Sequence, residues 1–105
     1  MGKNLRAELV VNKVSIELNP FAEEFLTRTV VGAVSSLKGA ENIQDLELYL
    51  ERGPDHIGVK LIVNGNELPL TPFPEQVITN TVTGMVSSLK GVGKIDSLKI
   101  TVRTR

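Results

Sequence analysis

Ser35-Ser36-Leu37-Lys38 and Ser87-Ser88-Leu89-Lys90 both spell S-x-x-K, the pattern that activates a serine nucleophile in penicillin-binding enzymes. That chemistry needs the serine at a helix start, with further Ser and Lys elements converging on it. Here the serines fall near the end of a helical pattern, where carbonyls point outward and oppose an oxyanion. Capping accounts for the pattern more simply. Lys38 and Lys90 suit the negative end of a helix, and Gly39 and Gly91 suit a left-handed cap. In this reading the small residues Gly32, Ser35 and Ser36, and Gly84 in the second stretch, allow close helix packing.

The other chemical candidates are weaker. His56 is the only histidine and stands beside Asp55, but neighbours in a tight turn point apart and no further metal ligand is evident. Glu23 and Glu24 fall on a helix's first turn, and Asp45, Glu47 and Glu51 on the polar side of a strand. None of them is placed in the apolar surroundings that shift a carboxylate for acid–base work. Two helix starts offer amide donors to an anion. Each, however, loses a donor to proline, is crowded by acidic side chains and lacks a glycine-rich approach. No catalytic residue, metal ligand or cofactor is therefore assigned, and the chain is expected not to be an enzyme.

Nucleic acid is disfavoured too. The 12 basic and 12 acidic residues cancel, which leaves no global field for a polyanion. Residues 53–105 carry 6 basic and 4 acidic side chains against 6 and 8 in residues 1–52, a slight asymmetry that includes Lys94, Lys99, Arg103 and Arg105. Tyr49 is the one aromatic on an outward strand position, whereas a sheet that stacks bases presents several. No apolar run is long enough to span a bilayer. The first residues lack a signal-peptide core, and Arg6 stands where a myristoylation signal needs Ser or Thr. A cytoplasmic protein without cysteine is the expectation.

The elements that position these residues are written twice. A shift of 52 residues aligns Leu9–Gly53 with Leu61–Arg105 without a gap, and 19 of the 45 positions are identical. Leu5, Ala7, Leu9 and Val11 alternate as a half-buried strand, matched by Ile57, Val59, Leu61 and Val63. Asn12-Lys13 and Asn64-Gly65 are turns, of which Asn-Gly is the stronger hairpin signal. Val14, Ile16 and Leu18 alternate in a second strand, matched by Leu68 and Leu70. Pro69 between the last two points to an edge strand or its irregular end.

Asn19-Pro20 and Thr71-Pro72 cap helices. Their apolar stripes are read as Phe21, Phe25, Val30, Ala33, Val34 and Leu37, and as Phe73, Val77, Val82, Met85, Val86 and Leu89. A last strand places Leu46, Leu48 and Leu50 inward, and Leu98, Ile100 and Val102 in the second copy.

The expected fold is α+β: tandem duplicated β-β-α-β units, about 4–53 and 56–105, in one domain over 1–105. Six strands form a mixed sheet, or two linked three-stranded sheets, with each helix over its own three strands. Folding at Gly53-Pro54-Asp55-His56 sets Leu50, Leu48 and Leu46 against Val59, Leu61 and Val63 in an antiparallel pair. Acidic Asp45, Glu47 and Glu51 and basic Lys99 and Arg103 suit a competing arrangement with the two last strands side by side.

The phrase Val63-Asn64-Gly65-x-x-Leu68-x-Leu70-x-Pro72-Phe73, followed by Asn80-Thr81-Val82-Thr83-Gly84-Met85-Val86-Ser87-Ser88-Leu89-Lys90-Gly91, resembles a group of short uncharacterised proteins from archaea and anaerobic bacteria. These carry one copy of the unit. The resemblance covers nearly all of 60–102, and 9–50 less closely, where Asn-Gly is replaced by Asn12-Lys13. It implies no activity.

What remains is association. Val10 and Ile62 hold equivalent positions on the polar side of a strand, as Val31 does on a helix, and such residues fit a covered surface. The expected interaction face comprises Val10, Glu47, Tyr49, Ile62, Lys99 and Arg103, on an outer sheet face that also carries Glu8 and Lys60. Its expected use is by a protein partner or by self-association, as a fused pseudo-dimer. The alternative is a small-ligand or nucleic-acid site at the seam between the repeats or on the sheet face.

Overall fold

A computed structural model describes residues 5–37, 40, 42–55, 57–89 and 92–104. Lys38, Gly39, His56, Lys90, Gly91 and Arg105, considered above, lie outside the described residues. The elements are β1 (Leu5–Val11), β2 (Val14–Ile16), α1 (Pro20–Ser35), β3 (Asp45–Arg52), β4 (Ile57–Val63), β5 (Asn66–Leu68), α2 (Pro72–Ser87) and β6 (Ser97–Thr104).

All six strands join one sheet in the order β2-β1-β6-β3-β4-β5, and every neighbouring pair is antiparallel. This corrects the expectation of a mixed sheet or of two three-stranded sheets. It also removes the competition between the two strand arrangements. Leu46, Leu48 and Leu50 pair with Val63, Leu61 and Val59 as expected. On its other edge β3 pairs with β6, Asp45 opposite Arg103. A central strand has two edges, so both pairings hold at once.

The expectation that each helix covers its own three strands is corrected as well. β6 lies between β1 and β3 and separates the first two strands of one half from the third. β1–β6, β3–β6 and β3–β4 each pair seven residues across the halves, whereas β1–β2 and β4–β5 pair three each.

Two asparagines fasten this exchange. Asn12 and Asn64 adopt the left-handed conformation at φ 51, followed by Lys13 at φ 68 and Gly65 at φ 84. Positive φ at both turn positions is the two-residue hairpin geometry that Asn-Gly favours, and Lys13 adopts it without the freedom of glycine. Asn12 Oδ1 accepts from the backbone N–H groups of Asp96 (2.7 Å) and Ser97 (3.0 Å), while its Nδ2 donates to the Lys94 carbonyl (2.8 Å). Asn64 does the same for Gln44 (2.7 Å), Asp45 (3.1 Å) and the Asn42 carbonyl (3.0 Å). Each turn thus holds the start of the other half's last strand.

Both helices pack on one face of the sheet. Inward Leu9, Leu46, Leu48, Leu61, Ile100 and Val102 are buried with Leu26, Val30 and Val34 of α1 and Ile78, Val82 and Val86 of α2 in a single core. Full burial of such side chains stabilises by roughly 1.5–3 kcal/mol each. The helix stripes are the main error of the sequence reading. Phe21 (75% exposed), Phe73 (76%), Phe25 and Val77 are exposed, and Leu26 and Ile78 take the inward positions. Residue 26 is one step, about 100° of helix, past residue 25, and it falls on the line of Val30 and Val34.

Gly32 and Gly84 are also exposed, and a Cβ added at either would meet nothing within 4 Å. They do not mark a close helix contact. The serine hydroxyls near them bond back to helix carbonyls, Ser35 to Gly32 and Ser87 to Thr83 and Gly84.

The two helix starts differ. Asn19 Oδ1 accepts from Ala22 N–H at 2.7 Å, whereas Thr71 makes no side-chain cap bond. Glu23 adds a tie to the sheet. Its Oε2 accepts from the backbone N–H of Ala7 (2.9 Å) and from Arg6 Nε (3.0 Å). β2 pairs only with Leu9–Val11, so the carboxylate completes β1 beyond the end of its neighbour.

Candidate functional site

With both helices on one face, the opposite face of the sheet is open. Alternation sends the even-numbered positions of β1 and β4 and the odd-numbered positions of β3 and β6 to this side. Val10, Glu47, Tyr49, Ile62, Lys99 and Arg103, the residues expected to form an interaction face, lie on it, with Glu8 and Lys60 beside them.

The strand register arranges them in rows. Ser15, Val10, Lys99, Tyr49 and Lys60 follow one another across β2, β1, β6, β3 and β4. The next row runs Glu8, Thr101, Glu47, Ile62 and Glu67 across β1, β6, β3, β4 and β5. One row carries only basic charges and the other only acidic ones, about 7 Å apart along the strands.

Tyr49 is the centre of the face. Its hydroxyl donates to Glu47 Oε1 at 2.7 Å, and Lys99 Nζ sits 5.4 Å from the ring centroid. The bond to Glu47 raises the Tyr49 pKa above its ordinary value of 10.0, with desolvation and the glutamate's charge acting in the same direction. The phenol therefore stays neutral and serves as a donor. Val10, Ile62, Glu47 and Tyr49 are half-buried, and Thr101 is 6% exposed although it faces away from the helices. Its long neighbours shelter it.

Open depressions flank Tyr49. One of about 260 Å³ is lined by Val10, Lys13, Tyr49 and Lys99, and one of about 530 Å³ by Tyr49, Glu51, Gly58 and Lys60. Gly58 contributes no side chain, and this widens the second. A separate apolar cleft of about 180 Å³ lies between Leu37 and the segment Leu68–Pro74. Among the described residues, no group of three or more His, Cys, Asp and Glu side chains gathers to hold a metal ion, and no helix is long and apolar enough to cross a membrane.

Three features of the structure go beyond the local sequence pattern. Phe21 and Phe25, which helical spacing puts in the core stripe, are exposed, their rings tilted at 52° with centroids 5.9 Å apart. Asn12 and Asn64 have the sequence signature of turns alone, and their identity at the 52-residue offset is the one signal of the contacts they make. The sheltering of Thr101 depends on neighbours from two other strands, which no local pattern shows.

No family model matches the chain, and no solved structure matches it. A stretch of 45 residues, 43% of this chain, is 33% identical to part of the "Putative molybdopterin-guanine dinucleotide biosynthesis adapter protein" of Methanocaldococcus jannaschii. The likeness spans 19% of that protein's length.

Proposed function

We propose that this chain is a non-catalytic protein-interaction module, a fused pseudo-dimer of two β-β-α-β units that presents the open sheet face to a protein partner. The observation that carries the reading is the face itself: half-buried Tyr49, Val10 and Ile62 set among rows of opposite charge. Such a mixture suits a protein surface, where charge pattern selects the partner and aromatic and aliphatic anchors supply affinity. A polyanion would meet Glu8, Glu47, Glu51 and Glu67 on the same face. Two facts support the fusion: the 19 identities at the 52-residue offset, and a strand order that maps onto itself when each strand is exchanged for its counterpart in the other half. The likeness to a stretch of a longer protein described as an adapter agrees with a unit that serves as a module.

The depressions beside Tyr49 favour one second reading, a small ligand held on the face. Affinity capture from native lysate with mass spectrometry separates the two. Under the interaction reading, wild-type protein retains a stoichiometric protein that the Tyr49→Ala/Lys99→Ala variant loses and the helix-surface variant Arg28→Ala keeps. Equal retention by all three would overturn it. A small molecule released on denaturing the wild type, but absent from the Tyr49→Ala/Lys99→Ala variant, would favour the second reading.

A further inference from the structure

The two central rows of the open face have a property that goes beyond their sign. Each residue of the basic row lies 52 positions from a residue of the acidic row: Lys99 from Glu47, Lys60 from Glu8, Val10 from Ile62, Tyr49 from Thr101 and Ser15 from Glu67. Exchanging the halves therefore turns Glu8 and Glu47 into lysines, puts Ser15 in place of Glu67, and leaves the aliphatic positions aliphatic. A surface with this pattern is complementary to itself.

We infer that the open sheet face docks a second copy of this chain, face to face, with the basic row of each copy over the acidic row of the other. The inference rests on the interaction reading above and names its partner. A two-fold axis in the plane of the sheet and parallel to the rows produces this overlap. Lys99 on β6 then falls between Glu8 and Glu47 on β1 and β3 of the copy. Lys60 on β4 falls between Glu47 and Glu67 on β3 and β5. The lysines interdigitate with the glutamates, and Val10, Tyr49 and Ile62 close the space between the sheets.

A two-fold axis along the strands instead lays like row on like row, bringing Lys99 beside its own copy and Glu47 beside its own. Like charges in a closing interface repel one another, so charge selects the first arrangement. One approach opposes it: Glu51 lies over the copy's Asp45, with Arg103 paired to Asp45 on the same sheet. Glu8, Lys60, Glu67 and Lys99 are exposed, so the dimer is sensitive to salt.

Analytical ultracentrifugation of the full chain over a wide concentration range tests this, with far-UV circular dichroism to confirm that every variant is folded. Wild type should form dimers that weaken at least about tenfold when salt rises from about 0.05 M to about 0.5 M, because screening acts on exposed charge rows. Lys60→Glu/Lys99→Glu and Glu8→Lys/Glu47→Lys should each be monomeric alone and form a 1:1 pair when mixed. Arg28→Glu/Lys94→Glu carries the same change of charge away from the face and should dimerise like wild type. Should the charge reversals unfold, Lys60→Gln/Lys99→Gln gives the same test with a smaller loss.

Wild type that stays monomeric at the highest concentration overturns the inference, as does a dimer that both row variants retain. If that monomer still captures a different protein through Tyr49, self-docking fails while the interaction reading stands. If its captured proteins are indifferent to face variants, both fail.

Discussion

Asn12 and Asn64 show how much one side chain can hold at the surface. Each combines a left-handed backbone with three side-chain bonds to the first residue of a strand from the other half and to the loop just before it. Alanine at either site loses all three bonds and must adopt the left-handed conformation without help. Asn12→Ala and Asn64→Ala should each destabilise by about 1–3 kcal/mol in urea unfolding. A change below about 0.5 kcal/mol would mean that the strand starts are held by other contacts.

Tyr49 offers a spectroscopic reading at the same scale. It is the only tyrosine and the chain has no tryptophan, so absorbance at high pH reports this residue alone. Its midpoint should lie above 10.0, and Glu47→Gln should lower it by removing the carboxylate acceptor and its charge. The sign for stability follows. The folded state holds the phenol proton more tightly than the unfolded chain, so this contribution is full below the unfolded pKa and is lost as pH rises through the folded one. A midpoint unmoved in Glu47→Gln would contradict the hydrogen bond as the cause.

At the scale of elements, the helices carry two local faults that can be relieved. The Thr27 hydroxyl is buried without a hydrogen-bond partner, and an unpaired buried hydroxyl costs about 1–3 kcal/mol. Thr27→Val keeps the shape and removes the polar atom, and should raise the melting temperature; a lower melting temperature would show that the hydroxyl has a partner after all. Gly32 and Gly84 sit in open space within α1 and α2. Gly32→Ala and Gly84→Ala should each stabilise by about 0.5–1 kcal/mol through helix propensity, measured by denaturant titration. Destabilisation would reveal a close approach at these positions. The sequence supported the opposite expectation because small residues at helical spacing suit both packing and exposure.

At the scale of the whole molecule, the halves are interlocked rather than merely adjacent. The three central strand pairings all join one half to the other. Cutting the chain at the joint, through a protease site placed at Pro54-Asp55, should therefore leave two fragments that co-elute at the intact mass and unfold in one transition. The cut removes a covalent tie but no strand pair. Fragments that separate under native conditions would show that the joint, and not the exchanged strands, holds the halves together. The same interlocking leaves neither half a complete sheet of its own.

Alternation and helix punctuation in the chain determined the element types, their order, the β3–β4 register and the set of side chains on the polar side of the strands. These follow from interactions within a few residues, or from matching two apolar faces across a short joint. Only the tertiary structure decided that β6 enters between β1 and β3, that one antiparallel sheet forms, and that Leu26 and Ile78 displace the phenylalanines from the core. Strand neighbours far apart in sequence and the rotation of a helix about its axis are set by what the packed interior can accommodate. The open face owes its residues to the sequence and its rows to the register.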